Sequence, residues 1–105
     1  MALIQIPFRE QFYKQILSGE KTATTRTKKF GEIEDYFLIA GHRFDLKFVS
    51  HVPLKYVAAI MYKEEGFKAP EDFMAIWKEI HPRKGFVPDQ KVWLHIFKEA
   101  IYVGK

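Results

Sequence analysis

Lys21, Thr24 and Arg26 lie within one six-residue stretch, and together they could carry acid–base and nucleophilic chemistry. A lysine that sheds its proton is a base, and a threonine hydroxyl beside it becomes a nucleophile. Burial is what moves such a lysine from its usual pKa of about 10.4 toward neutrality. An arginine two residues further on offers a planar fork of donors for a carbonyl, carboxylate or phosphate. On an extended segment side chains two apart share a face, so Thr22, Thr24 and Arg26 are expected to point one way. Lys21 stands at a loop-to-strand junction, free of that parity, and its stem can swing toward the Thr24 hydroxyl. The plainer reading of the same residues is a solvated basic turn followed by a threonine-rich edge strand.

Charge sharpens the focus on this segment. The chain carries 17 Lys and Arg against 13 Asp and Glu, a net charge of +4 that permits a polyanionic partner without requiring one. Between Lys21 and Gly31 stand four of the bases (Lys21, Arg26, Lys28, Lys29) and no acid. Other candidates are thinner. Glu64 or Glu65 could pair with Lys21 or serve as a general acid, although carboxylates just before a helix most often sit in solvent near its dipole. His42, His51, His81 and His95 have no partners at metal-ligand spacing, so no metal site and no cofactor are expected. His95 falls in the most apolar run and reads as a hydrogen-bonded core or cleft residue. The chain has no cysteine, which excludes disulfides, thiolate metal sites and cysteine nucleophiles.

The elements that must position these groups can be read from periodicity. At 105 residues a single domain, 1–105, is expected. Leu3, Ile4 and Ile6 suggest an opening strand ended by Pro7. Phe8, Phe12, Ile16 and Leu17 recur at helical spacing and predict a helix from Phe8 to Ser18, capped by Gly19. Tyr36 to Ala40 is a short apolar run between glycines. Phe44, Leu46 and Phe48 alternate with Arg43, Asp45 and Lys47, the period of a half-buried strand that Pro53 closes. Leu54 to Tyr62 fits either a short helix or a strand. Pro70 opens a clearer helix, with Glu71 and Asp72 in its first turn and Phe73, Ile76, Trp77 and Ile80 on one face, stopped by Pro82. Val92 to Phe97 suits a central strand covered on both faces. This order argues for an α+β domain with a curled, mostly antiparallel sheet rather than a doubly wound parallel one. The aromatic residues read chiefly as core filling. No run approaches the roughly 18 apolar residues of a membrane span, and no signal peptide is evident, so a cytoplasmic location is expected.

Gly19-Glu20-Lys21-Thr22-Ala23-Thr24-Thr25-Arg26 resembles the G-x-K-T-x-T-x-R signature of the ASCH domain family, small PUA-like proteins. The likeness extends over nearly the whole chain. Phe8 to Leu17 is similar to the helix before the signature, Gly41 to Phe48 to a glycine-led strand. Glu65-Gly66-Phe67 followed by Pro70-Glu71-Asp72-Phe73 is similar to the family's E-G-F-x-S-P-E-E-F segment. There are departures: Ala69 replaces the usual serine before the helix proline, His42 replaces a common aspartate, and Arg83, Lys84 and Lys91 enrich the downstream region in bases.

The resemblance implies a PUA-like, β-barrel-type sheet flanked by two or three helices, with a cleft near the signature. It implies a ligand there as well, RNA or a nucleoside or nucleotide, met by Thr22, Arg26, Lys28 and Lys29. Some stand-alone members of this size are amidohydrolases that deacetylate N4-acetylcytidine. On that pattern Lys21 is the base, Thr24 the nucleophile and Glu65 the third catalytic residue. Three expectations therefore stand side by side: a binding module for RNA or a nucleoside, an amidohydrolase, and a domain that keeps the signature for structural reasons alone.

Overall fold

The computed structural model describes residues 1–101; the last four positions of the expected domain lie outside the described residues. Four strands form one antiparallel sheet: β1 (Ala23–Arg26), β2 (Tyr36–Ile39), β3 (His42–Pro53) and β4 (Lys91–Glu99). Their spatial order is β1-β4-β3-β2, so β4 is central and β1 forms one edge. Three α-helices accompany the sheet: α1 (Tyr13–Ser18), α2 (Leu54–Ile60) and α3 (Pro70–Ile80). The architecture is the curled α+β sheet with flanking helices that the sequence suggested.

Apolar side chains pack on both sides of the sheet. One cluster joins Phe37, Phe44, Leu46 and Phe97 to Ile6 and Ile16 from the N-terminal segment. The other joins Val92 to Leu54, Val57 and Ala58 of α2 and to Phe73 and Trp77 of α3. β4 supplies both clusters from its opposite faces, Phe97 to the first and Val92 to the second, which is why its middle runs apolar from Val92 to Leu94 and again at Ile96 and Phe97.

Several local expectations change. Leu3 to Ile6 is not a strand: Leu3 makes a single parallel bridge to Tyr36, with the Ile4 amide donating to the Tyr36 carbonyl at 2.8 Å. The pairing stops after Ile4, and Pro7, which lacks an amide proton, could not resume it. The first helix begins late, as a 3₁₀ turn at Glu10–Phe12 that runs into α1, with Phe8 packed against the first cluster and Arg9 still extended. Gly19 does cap it, with φ +88°. Leu54 onward is helical. In β3 the register against β4 shifts between Leu46 and Phe48, an extra residue at Lys47 that reverses the alternation. Phe44 and Leu46 are buried, but Phe48 is turned out and 45% exposed.

Candidate functional site

Residues of β1 and of the turn after α2 converge at one end of the sheet. The Glu64 carbonyl accepts from the amides of Thr22 and Ala23, at 2.8 and 2.9 Å. That clamp lays the turn against the start of β1 and sends the side chain of Glu65 inward, while Glu64 stays exposed. Lys21 Nζ donates to the Glu65 backbone carbonyl at 2.9 Å and to its carboxylate Oε1 at 3.3 Å. The other carboxylate oxygen accepts from the Thr25 hydroxyl at 2.6 Å. Both charged side chains are 4% exposed.

Gly66 makes this approach possible. Its φ is +98°, and a Cβ there would stand 3.1 Å from Gln15 Oε1 and 3.3 Å from the Lys21 Cβ. Gln15 secures both partners, its side-chain amide donating to the Gly66 carbonyl and its own carbonyl accepting the Lys21 amide, each at 3.0 Å. The Glu-Gly-Phe sequence thus has a geometric reason: the acid reaches inward and the glycine gives the lysine room.

Thr24 and Arg26 form a second, linked arrangement. The Arg26 guanidinium donates to the Thr24 hydroxyl, to the Thr25 carbonyl at 3.0 Å and to the Pro7 carbonyl at 2.7 Å. The Phe8 ring lies under Arg26, 5.1 Å from centroid to Cζ, and the Phe12 ring under Lys21 at 5.0 Å from Nζ. Burial pushes the Lys21 ammonium below the ordinary lysine range; the Glu65 carboxylate opposes that shift and the Arg26 charge adds to it.

These groups line a cleft of about 330 Å³. Its polar part comes from Lys21, Thr24, Thr25, Arg26 and Glu65, and its walls from Phe8 and Phe12 on one side and Phe67, Phe73, Ile76 and Trp77 on the other. The expected apolar face of α3 therefore divides: Phe73 and Trp77 are buried in the core cluster, whereas Ile76 and Ile80 turn toward the opening. His81 stacks on Trp77 with ring centroids 4.1 Å apart.

Not every expected ligand residue lies here. Lys28 is at the rim, over the Phe30 ring. Lys29 is outside the cleft, paired with Glu32 and set over Trp93. Thr22 lines a separate shallow concavity beside Ser18 and Phe97. Thr25, absent from the expected set, holds Glu65 because it faces the side of β1 opposite to Thr24. No sequence signal pointed to it, since the residue next to Thr24 on an extended segment faces the other way. His95 is fully buried below Thr24. Its Nε2 accepts the Phe30 amide at 3.1 Å, so the proton sits on Nδ1, toward the Thr24 carbonyl at 3.3 Å. Burial lowers its pKa. Among the described residues no group of three or more His, Asp and Glu is placed to hold a metal ion.

No family model matches the sequence, and no curated protein matches it either. Solved structures do. A crystal structure of an ASCH domain from Lactobacillus crispatus JV V101 superposes with a TM-score of 0.63, over 93% of this chain and 78% of that one, at 16% identity. The fold is that of an ASCH domain. Protein EF3133 from Enterococcus faecalis V583, of the DUF984 family, gives a TM-score of 0.66 at 16% identity, over 94% of this chain and 75% of that one. The hypothetical protein PH0355 gives 0.72 at 13% identity and covers 95% of this chain and all of that one. In this ASCH-like sheet, the segment that resembles the family signature runs from the cap of α1 into β1, and the Glu-Gly-Phe turn packs directly against it.

Proposed function

We propose that the cleft binds a single nucleoside, either free or turned out from an RNA strand. The buried Lys21–Glu65 pair at the base of an aromatic-walled cleft is the observation that carries this reading. A volume of about 330 Å³ is at the small end of the range of roughly 300–1,000 Å³ for small-molecule pockets, which suits one nucleoside and not a stretch of strand. Apolar and aromatic walls take the faces of a planar base, and the polar floor satisfies its edge. Lys28 at the rim, with Lys29 beyond it, is available to a sugar phosphate. Isothermal titration with cytidine, N4-acetylcytidine and a short single-stranded RNA tests this. Saturable binding of a free nucleoside, or RNA binding that free nucleoside competes away, supports it; RNA binding that falls steeply with salt and is not competed by nucleoside overturns it in favour of a backbone-reading module.

A second reading, amide hydrolysis of an acylated cytidine, draws on Lys21 and Thr24. A lysine whose pKa is lowered by burial has more of the neutral form that a base requires. The Thr24 oxygen already accepts from Arg26, which stabilises it as its own proton leaves. Thr24 Oγ attacks the acyl carbonyl as Lys21 takes the hydroxyl proton. The proton taken by Lys21 passes to the leaving amine, either directly with Glu65 orienting Lys21 or through the Glu65 carboxylate, and water then hydrolyses the acyl-threonine. Release of cytidine from N4-acetylcytidine by the wild type, abolished in Lys21→Ala and Thr24→Ala, supports the hydrolase. No turnover in the wild type refutes it.

A further inference from the structure

β1 is an edge strand, so only one of its long sides is paired. The Phe97 amide donates to the Thr22 carbonyl at 2.9 Å, which sets the parity of the ladder. In an antiparallel pair, alternate residues direct their backbone groups toward the partner strand. With Thr24 opposite His95 and Arg26 opposite Trp93, these two face β4, while Ala23 and Thr25 face outward. Two contacts agree with that direction. The Ala23 amide donates outward to the Glu64 carbonyl, and the Thr25 carbonyl accepts the Arg26 guanidinium.

Between those contacts lies the Thr25 N–H, on the same outward side. Among the described residues no protein group accepts from it. Thr25 is 5% exposed and lines the cleft, whose walls come from both faces of the sheet and so meet around this edge. Buried backbone amides are almost always paired, and leaving one unpaired is costly. We propose that the Thr25 backbone N–H anchors a neutral carbonyl oxygen of the bound ligand. A carbonyl adds no second anion beside the Glu65 carboxylate that the Thr25 hydroxyl contacts, and Lys21 and Arg26, the cations of the cleft, are already engaged with Glu65, Thr24, Thr25 and Pro7. The anchor rests on the nucleoside reading above and adds the ligand atom that is held.

Proline tests it without touching the ladder, because an outward amide on an edge strand is where proline is tolerated, and Thr24 before it is already extended. Thr25→Val removes the hydroxyl and keeps the amide; Thr25→Pro removes both. N4-acetylcytidine should bind Thr25→Pro about tenfold more weakly than Thr25→Val, the scale of one buried hydrogen bond. Equal affinities overturn the anchor and leave nucleoside binding intact. Should the proline variant not fold, the wild-type amide resonance decides: it shifts downfield on saturation with N4-acetylcytidine, more than those of Thr24 and Arg26, and an unmoved Thr25 resonance overturns the proposal. Failure of the wild type to bind cytidine or N4-acetylcytidine overturns the nucleoside reading itself.

Discussion

Glu65→Gln isolates the electrostatics of the site. The substitution keeps the shape and the Thr25 hydrogen bond but leaves the Lys21 ammonium buried without its counter-charge. At 3.3 Å the two unit charges attract by about 5 kcal/mol at an effective dielectric of about 20. Desolvation of both groups offsets most of that, so the pair adds little net stability. Removing one partner is different, because the stranded charge keeps its desolvation cost without the attraction, a loss of about 3–5 kcal/mol. For a domain of this size that lowers the unfolding midpoint by roughly 15–25 °C. Lys21→Met should cost a comparable amount for the mirror reason. The double variant Lys21→Met/Glu65→Gln buries no charge and should recover to within about 1–2 kcal/mol of wild type. Thermal and urea unfolding of the four proteins give a coupling energy of roughly 4–9 kcal/mol on this account. Additive single effects below about 1 kcal/mol each would refute it. The recovered double variant should bind no nucleoside, which separates the role of the pair in the cleft from its role in the fold.

Gly66→Ala forces a side chain into a left-handed backbone against Lys21 and should cost on the order of 1–2 kcal/mol, read as a lower urea midpoint with weaker nucleoside binding. Ala69 begins α3 with extended backbone and no side-chain cap, so Ala69→Ser should raise stability by about 1 kcal/mol in the same assay. His95 is held neutral by burial, its pKa below the ordinary 6.5. The unfolded chain therefore takes its proton first as pH falls through that value, so this residue's contribution, constant above it, is lost on acidification by at most about 1.4 kcal/mol per pH unit. Its imidazole resonances should remain those of the Nδ1–H tautomer at pH 6; a normal titration there contradicts the assignment. If the cleft is a hydrolase, kcat/KM for N4-acetylcytidine should rise with pH through a midpoint below the ordinary lysine value of 10.5, and a pH-independent rate argues against Lys21 as the base.

Local chemistry made part of this molecule legible from its residues. Pro70, the two acids after it and the spacing of Phe73 and Trp77 specify α3 with no help from the rest of the fold. Gly19 marks the end of α1 because only a left-handed residue continues the chain there. Non-local effects were not legible. The bulge at Lys47 turns Phe48 out of the core, and no pattern within β3 announces it. Leu3 to Ile6 carries strand-like residues, but the sheet edge it meets accepts one bridge before Pro7. Within the site, Lys21, Thr24 and Arg26 stood out by type and spacing. The aromatic walls did not, since Phe12, Phe67 and Trp77 read as core until the turn after α2 is seen to close against β1. Thr25 was hidden by its own neighbour: on a strand the residue beside a candidate faces away from it, and here both faces of β1 meet the same cleft.

The N-terminal segment does more than fill a core. Ala2 and Ile4 pair with Tyr36 on the β2 edge, and Pro7, a few residues later, receives Arg26 from β1 at the opposite edge. One segment of chain thus touches both borders of the sheet, covering part of the β2 edge through a single bridge and holding the Arg26 side chain at the β1 edge. Loss of these first residues would uncover the β2 edge as a template for aggregation and remove the Phe8 wall in the same cut. Edge protection and the cleft wall thus share one segment, and a chain lacking it should be found in aggregates on size-exclusion chromatography rather than as a monomer with an open cleft.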